Sequence, residues 1–200
     1  MNGLARVEAF CDGVYAIAIT LLVLEIRVPG EEVVRASGLW NALGRQWPSY
    51  GAYVLSFAII GIMWANHRNI CRYIARADHT FVMLNIALLM CTAFLPFPTA
   101  VLARYLPSPA HRTAATVFYG GTLTVTAIFY NMLWRYAASG RRLLRTDAEQ
   151  HLVDGVTREY NFGPPLYAVA TLVAWVNVWA SLAIHALLAG LYLLPSRSRP

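Results

Sequence analysis

The stretch that decides the fold runs Arg6-Val-Glu-Ala-Phe-Cys-Asp-Gly-Val-Tyr-Ala-Ile-Ala-Ile-Thr-Leu-Leu-Val-Leu-Glu-Ile-Arg27. From Val14 to Leu24 it is apolar apart from Tyr15 and Thr20. Arg6, Glu8 and Asp12 precede that core, Glu25 and Arg27 follow it, and Pro29-Gly30 stops any helix. At about 1.5 Å per residue, roughly 20 helical residues cross a bilayer core of about 30 Å. The stretch therefore reads as a membrane span, residues 5–28, whose first turns carry charge. Charge at that depth is costly in lipid and marks a functional site by default. At helical spacing Gly13, Ile17, Thr20, Leu21 and Leu24 share one stripe, while Asp12 lies off it with Glu8 and Ala16. Arg6 and Asp12 are six residues apart and do not face each other on a regular helix. Their partners are expected on other helices, because an unpaired charge at depth is costly.

Composition extends this reading to the whole chain. The apolar fraction is 58% and the charged fraction 13%, against about 50% apolar (Gly counted) and about 25% charged in soluble domains. The sixteen basic residues are all arginine and leave a net charge of +6. Basic chains often bind nucleic acid, but these arginines are scattered through short loops, as a positive-inside topology requires. No nucleic-acid partner is expected. The first residues lack a signal peptide's order, so the first span is expected to stay in the mature protein. Cys11, Cys71 and Cys91 form no CxxC pair and lie in or beside spans, which predicts free thiols.

Further spans are read at 47–69, 80–105, 113–137, 163–177 and 178–195, with a cytoplasmic linker at 138–162. Trp47-Pro48 opens the second, with proline near the first helical position. Gly51, Ala52, Ser56, Ala58 and Gly61 suit it to close helix packing. Pro96 and Pro98 are expected to kink or end the third. In the linker, Arg141, Arg142, Arg145 and Arg158 alternate with Leu143, Leu144, Leu152 and Val156, as in an interfacial amphipathic helix or a solvated connection. Residues 163–195 are long for one span and short for two, so one tilted helix or two short helices turning near Asn177 are the alternatives. Arginine placement favours two. Six spans put Arg6, Arg68, Arg72, Arg76, the five arginines from 135 to 158, Arg197 and Arg199 on the cytoplasmic side, 4 + 5 + 2 = 11 against 5 outside. Five spans would give 9 and 7. Both termini are therefore expected in the cytoplasm. No internal repeat is visible, which argues against an inverted-repeat transporter.

No GxSxG, HExxH, P-loop or Rossmann pattern is present, so no enzyme and no cofactor are expected. His67 and Cys71 are four apart, but two ligands fall short of the four of a structural metal site, and none is expected. His185 reads as a hydrogen-bonded packing residue. Trp64, His67 and Asn85 lie near span ends on the side of Arg6 and Asp12, which predicts a network of Arg6, Asp12, His67 and Asn85. Such a network can set the angle of the first helix, act as ordinary helix glue, or relay protons through Asp12 and His67. Taken alone, an Ile/Leu stripe is more often lipid-facing or packed than pore-lining.

Arg6-x-x-x-Phe10-Cys11-Asp12-Gly13, followed by Ala16-Ile17-Ala18-Ile19-Thr20-Leu21-Leu22, resembles the bacterial branch of the transmembrane protein 175 family. These are potassium channels related to the endosomal and lysosomal one. Trp64-x-x-His67 and Asn85, with Leu95-Pro96-Phe97-Pro98-Thr99, extend the resemblance. The family has Ser where this chain has Cys11. The resemblance implies an all-α, polytopic protein of the cell membrane with six transmembrane helices per subunit. It implies a homotetramer that passes potassium ions, with the first helix lining a central pore. Ile17, Leu21 and Leu24 would then form an apolar constriction and Thr20 a ring of hydroxyls. Arg6, Phe10, Cys11, Asp12, Gly13, Trp64, His67 and Asn85 would be its signature polar network. There is no Thr-Val-Gly-Tyr-Gly filter. The competing readings are a proton-coupled secondary carrier using Asp12 and His67, and a membrane scaffold without transport.

Overall fold

The computed structural model describes residues 3–193, with side chains through 191. The end of the last expected span, 194–195, and the topology markers Arg197 and Arg199 lie outside the described residues. The chain folds as nine helices within that range. They are α1 (Gly3–Leu21), the short α2 (Glu31–Ser37) and α3 (Leu39–Gly44), α4 (Trp47–Tyr73), α5 (His79–Phe94), α6 (Pro96–Tyr105), α7 (Arg112–Ala138), α8 (Gln150–Leu172) and α9 (Val178–Leu193). The fold is all-helical among the described residues, and its only extended pairing there is an isolated bridge between Ile74 and Leu144. Three stretches are long and apolar enough to cross a membrane: Gly3–Glu25, Trp47–Tyr73 and His79–Tyr105. Val178–Leu191 is a shorter apolar helix.

Local chemistry sets the boundaries. α1 tightens into a 3-10 turn over Leu22–Glu25 before Pro29. Pro48 sits in the first turn of α4, where its missing N–H leaves no bond unmade. Asp78 caps α5 by accepting from the Phe81 N–H at 2.9 Å, and its second oxygen accepts from the Tyr136 hydroxyl at 2.7 Å. Pro96 ends α5 and begins α6. Two backbone hydrogen bonds, Ala75 N–H to Leu143 O and Arg145 N–H to Tyr73 O, strap the α4–α5 connection to the chain leaving α7.

The polar segment after residue 139 differs from the sequence expectation. Helix α8 does not begin at 163; it runs without interruption from Gln150 to Leu172, through Pro164 and Pro165. Its buried face, Val153, Val156, Tyr160, Gly163 and Ala170, packs on α7. Pro164 has no N–H for the Tyr160 carbonyl four residues back, a loss that normally kinks or breaks a helix. Asn131 of α7 repairs it: its Nδ2 donates to the Tyr160 carbonyl at 2.9 Å and to Asn161 Oδ1 at 3.0 Å. Helical structure then stops at Asn177, whose Oδ1 accepts from the N–H groups of Trp179 and Ala180 and so caps α9.

α1 leans on α4 and α5. Within its apolar window 22% of residues are buried, against 50% for His79–Tyr105. The large side chains at the centre, Trp134, Tyr119, Phe81 and Tyr15, come mostly from the other helices. A helix this apolar and this uncovered needs further cover from lipid or protein.

Candidate functional site

Helical periodicity divides α1 between two environments. Cys11, Tyr15, Ala18 and Leu22 are fully buried against the rest of the chain. Ile17, Leu21 and Leu24 are 60%, 41% and 69% exposed, and Gly13 and Thr20 are exposed beside them. The sequence stripe is therefore the face of α1 that the rest of the chain does not cover. A Cβ added at Gly13 would meet nothing within 4 Å. The Thr20 hydroxyl donates back into its own helix, with the Ala16 and Ile17 carbonyls at 3.1 and 2.9 Å. Its oxygen lone pairs are left for whatever lies outside.

Below the stripe, polar side chains join α1 to α4 and α5. Asp12 Oδ1 accepts from Trp64 Nε1 at 2.7 Å, and the Arg68 guanidinium lies over the Trp64 ring at 5.0 Å. Asn85 is the hub of a second group. Its Nδ2 donates to Cys11 Sγ at 2.9 Å and its Oδ1 meets His67 Nε2 at 2.9 Å. A carboxamide oxygen only accepts, so Nε2 carries the histidine proton and Nδ1 is left to accept from the Cys71 thiol at 3.8 Å. The thiol of Cys11 thus takes a hydrogen bond at the position where the family has a hydroxyl. Both groups border a polar cavity of about 310 Å³ that Glu8 and Arg72 also line.

Arg6 is a correction to the expected network. It is exposed, and no ion pair among the described residues includes it. The reason is geometric: Arg6 precedes Ile17 by eleven residues within α1, about three turns at 3.6 residues per turn, so the two share a bearing. Phe10, also exposed, lies on that bearing too. Both extend the open stripe toward the N-terminus and neither joins Asp12. Nor do Asp12 and His67 bond each other; each has its own partner. Among the described residues no three His, Cys, Asp or Glu side chains are arranged to hold a metal ion.

Two further polar groups escaped the sequence reading. The Tyr15 hydroxyl bonds that of Tyr130, which donates to the Met63 carbonyl at 2.6 Å. Ser56 bridges Thr99 and Tyr119 at 2.8 and 2.9 Å, deep in the bundle. Thr99 gives its own proton to the Leu95 carbonyl, so Ser56 donates to Thr99 and accepts from Tyr119. Tyr15 had a signal: it follows Cys11 by one turn on the buried face. Ser56 was legible only as a small packing residue.

Comparison with known proteins places these features. The family model described as endosomal/lysosomal potassium channel TMEM175 matches residues 6–96, which hold the stripe and the polar groups around Asp12 and Asn85. A protein named as a potassium channel from Chamaesiphon minutus is 49% identical over 193 residues, covering 96% of this chain and 95% of its own. Another from Streptomyces collinus is 41% identical over 192 residues, covering 96% and 92%. The crystal structure of a lysosomal potassium-selective channel TMEM175 homolog from Chamaesiphon minutus superimposes with a TM-score of 0.89 at 45% identity, covering 98% of both chains. The chain belongs to the TMEM175 family.

Proposed function

We propose that this protein is a potassium channel of the cell membrane. It assembles as a tetramer of six-span subunits with both termini in the cytoplasm, and the α1 helices surround its conduction path. The observation that carries this reading is the uncovered stripe of α1 from Gly13 to Leu24, apolar except for Thr20, on the least covered of the three long apolar helices. One helix cannot enclose a path, so the stripe needs copies of itself. Ile17, Leu21 and Leu24 then form the constriction. Stripping an ion completely in an apolar ring would cost on the order of 20 kcal/mol by the idealised Born estimate. Conduction therefore keeps part of the hydration shell, and the Thr20 oxygens accept hydrogen bonds from it. Potassium holds its water less tightly than sodium, so a narrow ring favours potassium by degree.

The hydrogen bonds around Asp12 support this reading over a proton-coupled carrier. Asp12 and His67 bond different partners, Trp64 and Asn85, and not each other. A carrier predicts saturable, pH-driven flux, a channel predicts currents that follow the potassium gradient, and a scaffold predicts neither. Reconstitution into liposomes under a potassium gradient separates the three. In bilayer recordings Ile17→Asn should wet the constriction, raise conductance and erode potassium over sodium selectivity, and Thr20→Val should lower conductance or selectivity. Recordings in which both variants match the parent would remove α1 from the pore.

A further inference from the structure

The end of α1 remote from Asp12 borders a cavity of about 800 Å³ whose chemistry the conduction reading leaves unused. Three elements build it. Glu25 and Arg27 come from the chain just past the α1 stripe, Gln46 and Ser49 from the start of α4, and Arg104 from the end of α6. The α6 side chains Phe97 and Val101 give it an apolar wall. Neither Arg27 nor Arg104 has an ion-pair partner among the described residues. Arg104 is held at the rim by its neighbour, its guanidinium 5.9 Å from the Tyr105 ring centroid.

The depth of the cavity is marked as well as its polarity. Trp47, between the lining residues Gln46 and Ser49, stacks on Trp179 with ring centroids 6.0 Å apart, and both rings are about half exposed. Paired, half-exposed indoles of this kind settle at the level of lipid headgroups. Guanidinium forks suit phosphate oxygens, and a lone carboxylate beside them suits an ammonium. A free anion has no use for the Phe97 and Val101 wall, whereas an acyl glycerol does.

We infer that this cavity binds a glycerophospholipid with an ethanolamine-type headgroup, its phosphate on Arg27 and Arg104, its ammonium on Glu25 and its glycerol end against Phe97 and Val101. The bound lipid ties the end of α1 to α4 and α6. Its effect on conduction rests on the pore reading above, but its binding does not.

The test is native mass spectrometry of the full-length protein in detergent, titrated separately with phosphatidylethanolamine, phosphatidylglycerol and inorganic phosphate. The parent should retain phosphatidylethanolamine in preference to phosphatidylglycerol. Arg27→Gln with Arg104→Gln should weaken that retention by about tenfold or more, from the loss of two charge-assisted contacts. Glu25→Gln should erase the preference between the two lipids while keeping retention. Arg112→Gln, outside the cavity, should change nothing, and elution at the parent's oligomeric size shows that each variant is folded. Should the double variant misfold, Val101→Trp, which fills the apolar wall, should lower lipid retention in its place. Unchanged retention in the arginine or Trp variant overturns the site, and complete competition by inorganic phosphate overturns the lipid as its occupant. Because mass is the readout, a failure here is distinct from a failure of the pore reading, which shows in flux.

Discussion

Two polar regions of this bundle solve the same problem differently. Where α1 meets α4 and α5, Asp12, Trp64, His67, Asn85 and Cys11 are joined donor to acceptor, each with a named partner. Where α7, α8 and α9 meet, Gly120, Thr171 and His185 are pressed together instead. His185 is fully buried, its Nδ1 sits 2.8 Å from the Ser181 carbonyl, and its Nε2 is the one buried side-chain nitrogen or oxygen without a partner among the described residues. Thr171 and Thr124 both give their protons to their own helices, so neither hydroxyl supplies a donor. The first region is specified by a connected set of side-chain hydrogen bonds; the second has the Ser181 hydroxyl on the Ala170 carbonyl at 2.7 Å and a 3.3 Å Thr124–Thr171 contact between helices, and is otherwise specified by shape. Hydrogen bonds fix orientation at the helix that carries the stripe, and close packing suffices where helices only need to stay together.

The largest effect should come from breaking the hub of the first region. Asn85→Leu leaves the His67 N–H without an acceptor and Cys11 without a donor, and a buried group left unpaired costs about 1–3 kcal/mol. The variant should lose several degrees of thermal stability when followed by size-exclusion after heating. Gly120→Ala should come next. Its Cβ would stand 2.5 Å from Thr171 Oγ1 and 3.1 Å from the His185 ring, and both lie on helices that must then move away from α7. Overpacking of this kind costs about 1–3 kcal/mol, and Thr171→Ala in the same chain should recover most of the loss. Without that recovery, the tight contact is not what holds the seam.

His185→Leu should do less, and in the opposite sense from Asn85→Leu. It removes an orphaned acceptor, and the Ser181 carbonyl keeps its helical bond, so stability should change by no more than about 1 kcal/mol and can rise. A large loss would mean that His185 is bound to something the seam's own side chains do not supply.

The smallest effect lies outside the membrane. The Asp78 carboxyl is held below the ordinary carboxylate range, first by the Phe81 N–H and then by the Tyr136 hydroxyl. A pKa depressed by folding contributes stability that is fully present above the unfolded value, about 3.9, and is lost as pH falls through the folded value. Thermal melts between neutral pH and pH 3 should therefore fall more steeply for the parent than for Asp78→Asn. Parallel curves would remove Asp78 from the acid response.

How far the sequence carried follows the same division. The stripe and the partners Trp64, His67 and Asn85 were legible because they rest on helical spacing and on side chains unusual for a membrane span. Matching depth groups Arg6 with Asp12, although its bearing, shared with Ile17, places it on the open face. Helix α8 could not be foreseen across 163: Pro164-Pro165 argues for a break, and the side chain that removes the need for one, Asn131, lies thirty residues away on another helix. Ser56 was invisible as a hydrogen-bonding centre because its partners, Thr99 and Tyr119, come from two other helices. Local pattern speaks for single helices, and long-range compensation between them does not show in it.

The direction of the Thr20 proton has an effect on anions. With that proton turned back onto the Ala16 and Ile17 carbonyls, Thr20 of each helix in the proposed pore would show the axis an electron pair and no donor. A chloride ion reaching such a ring would find oxygen facing it on every side and no hydrogen to bind, while a cation would find the reverse. At that ring, discrimination by sign of charge would require no acidic side chain. It follows from a hydroxyl rotor whose one proton is already engaged.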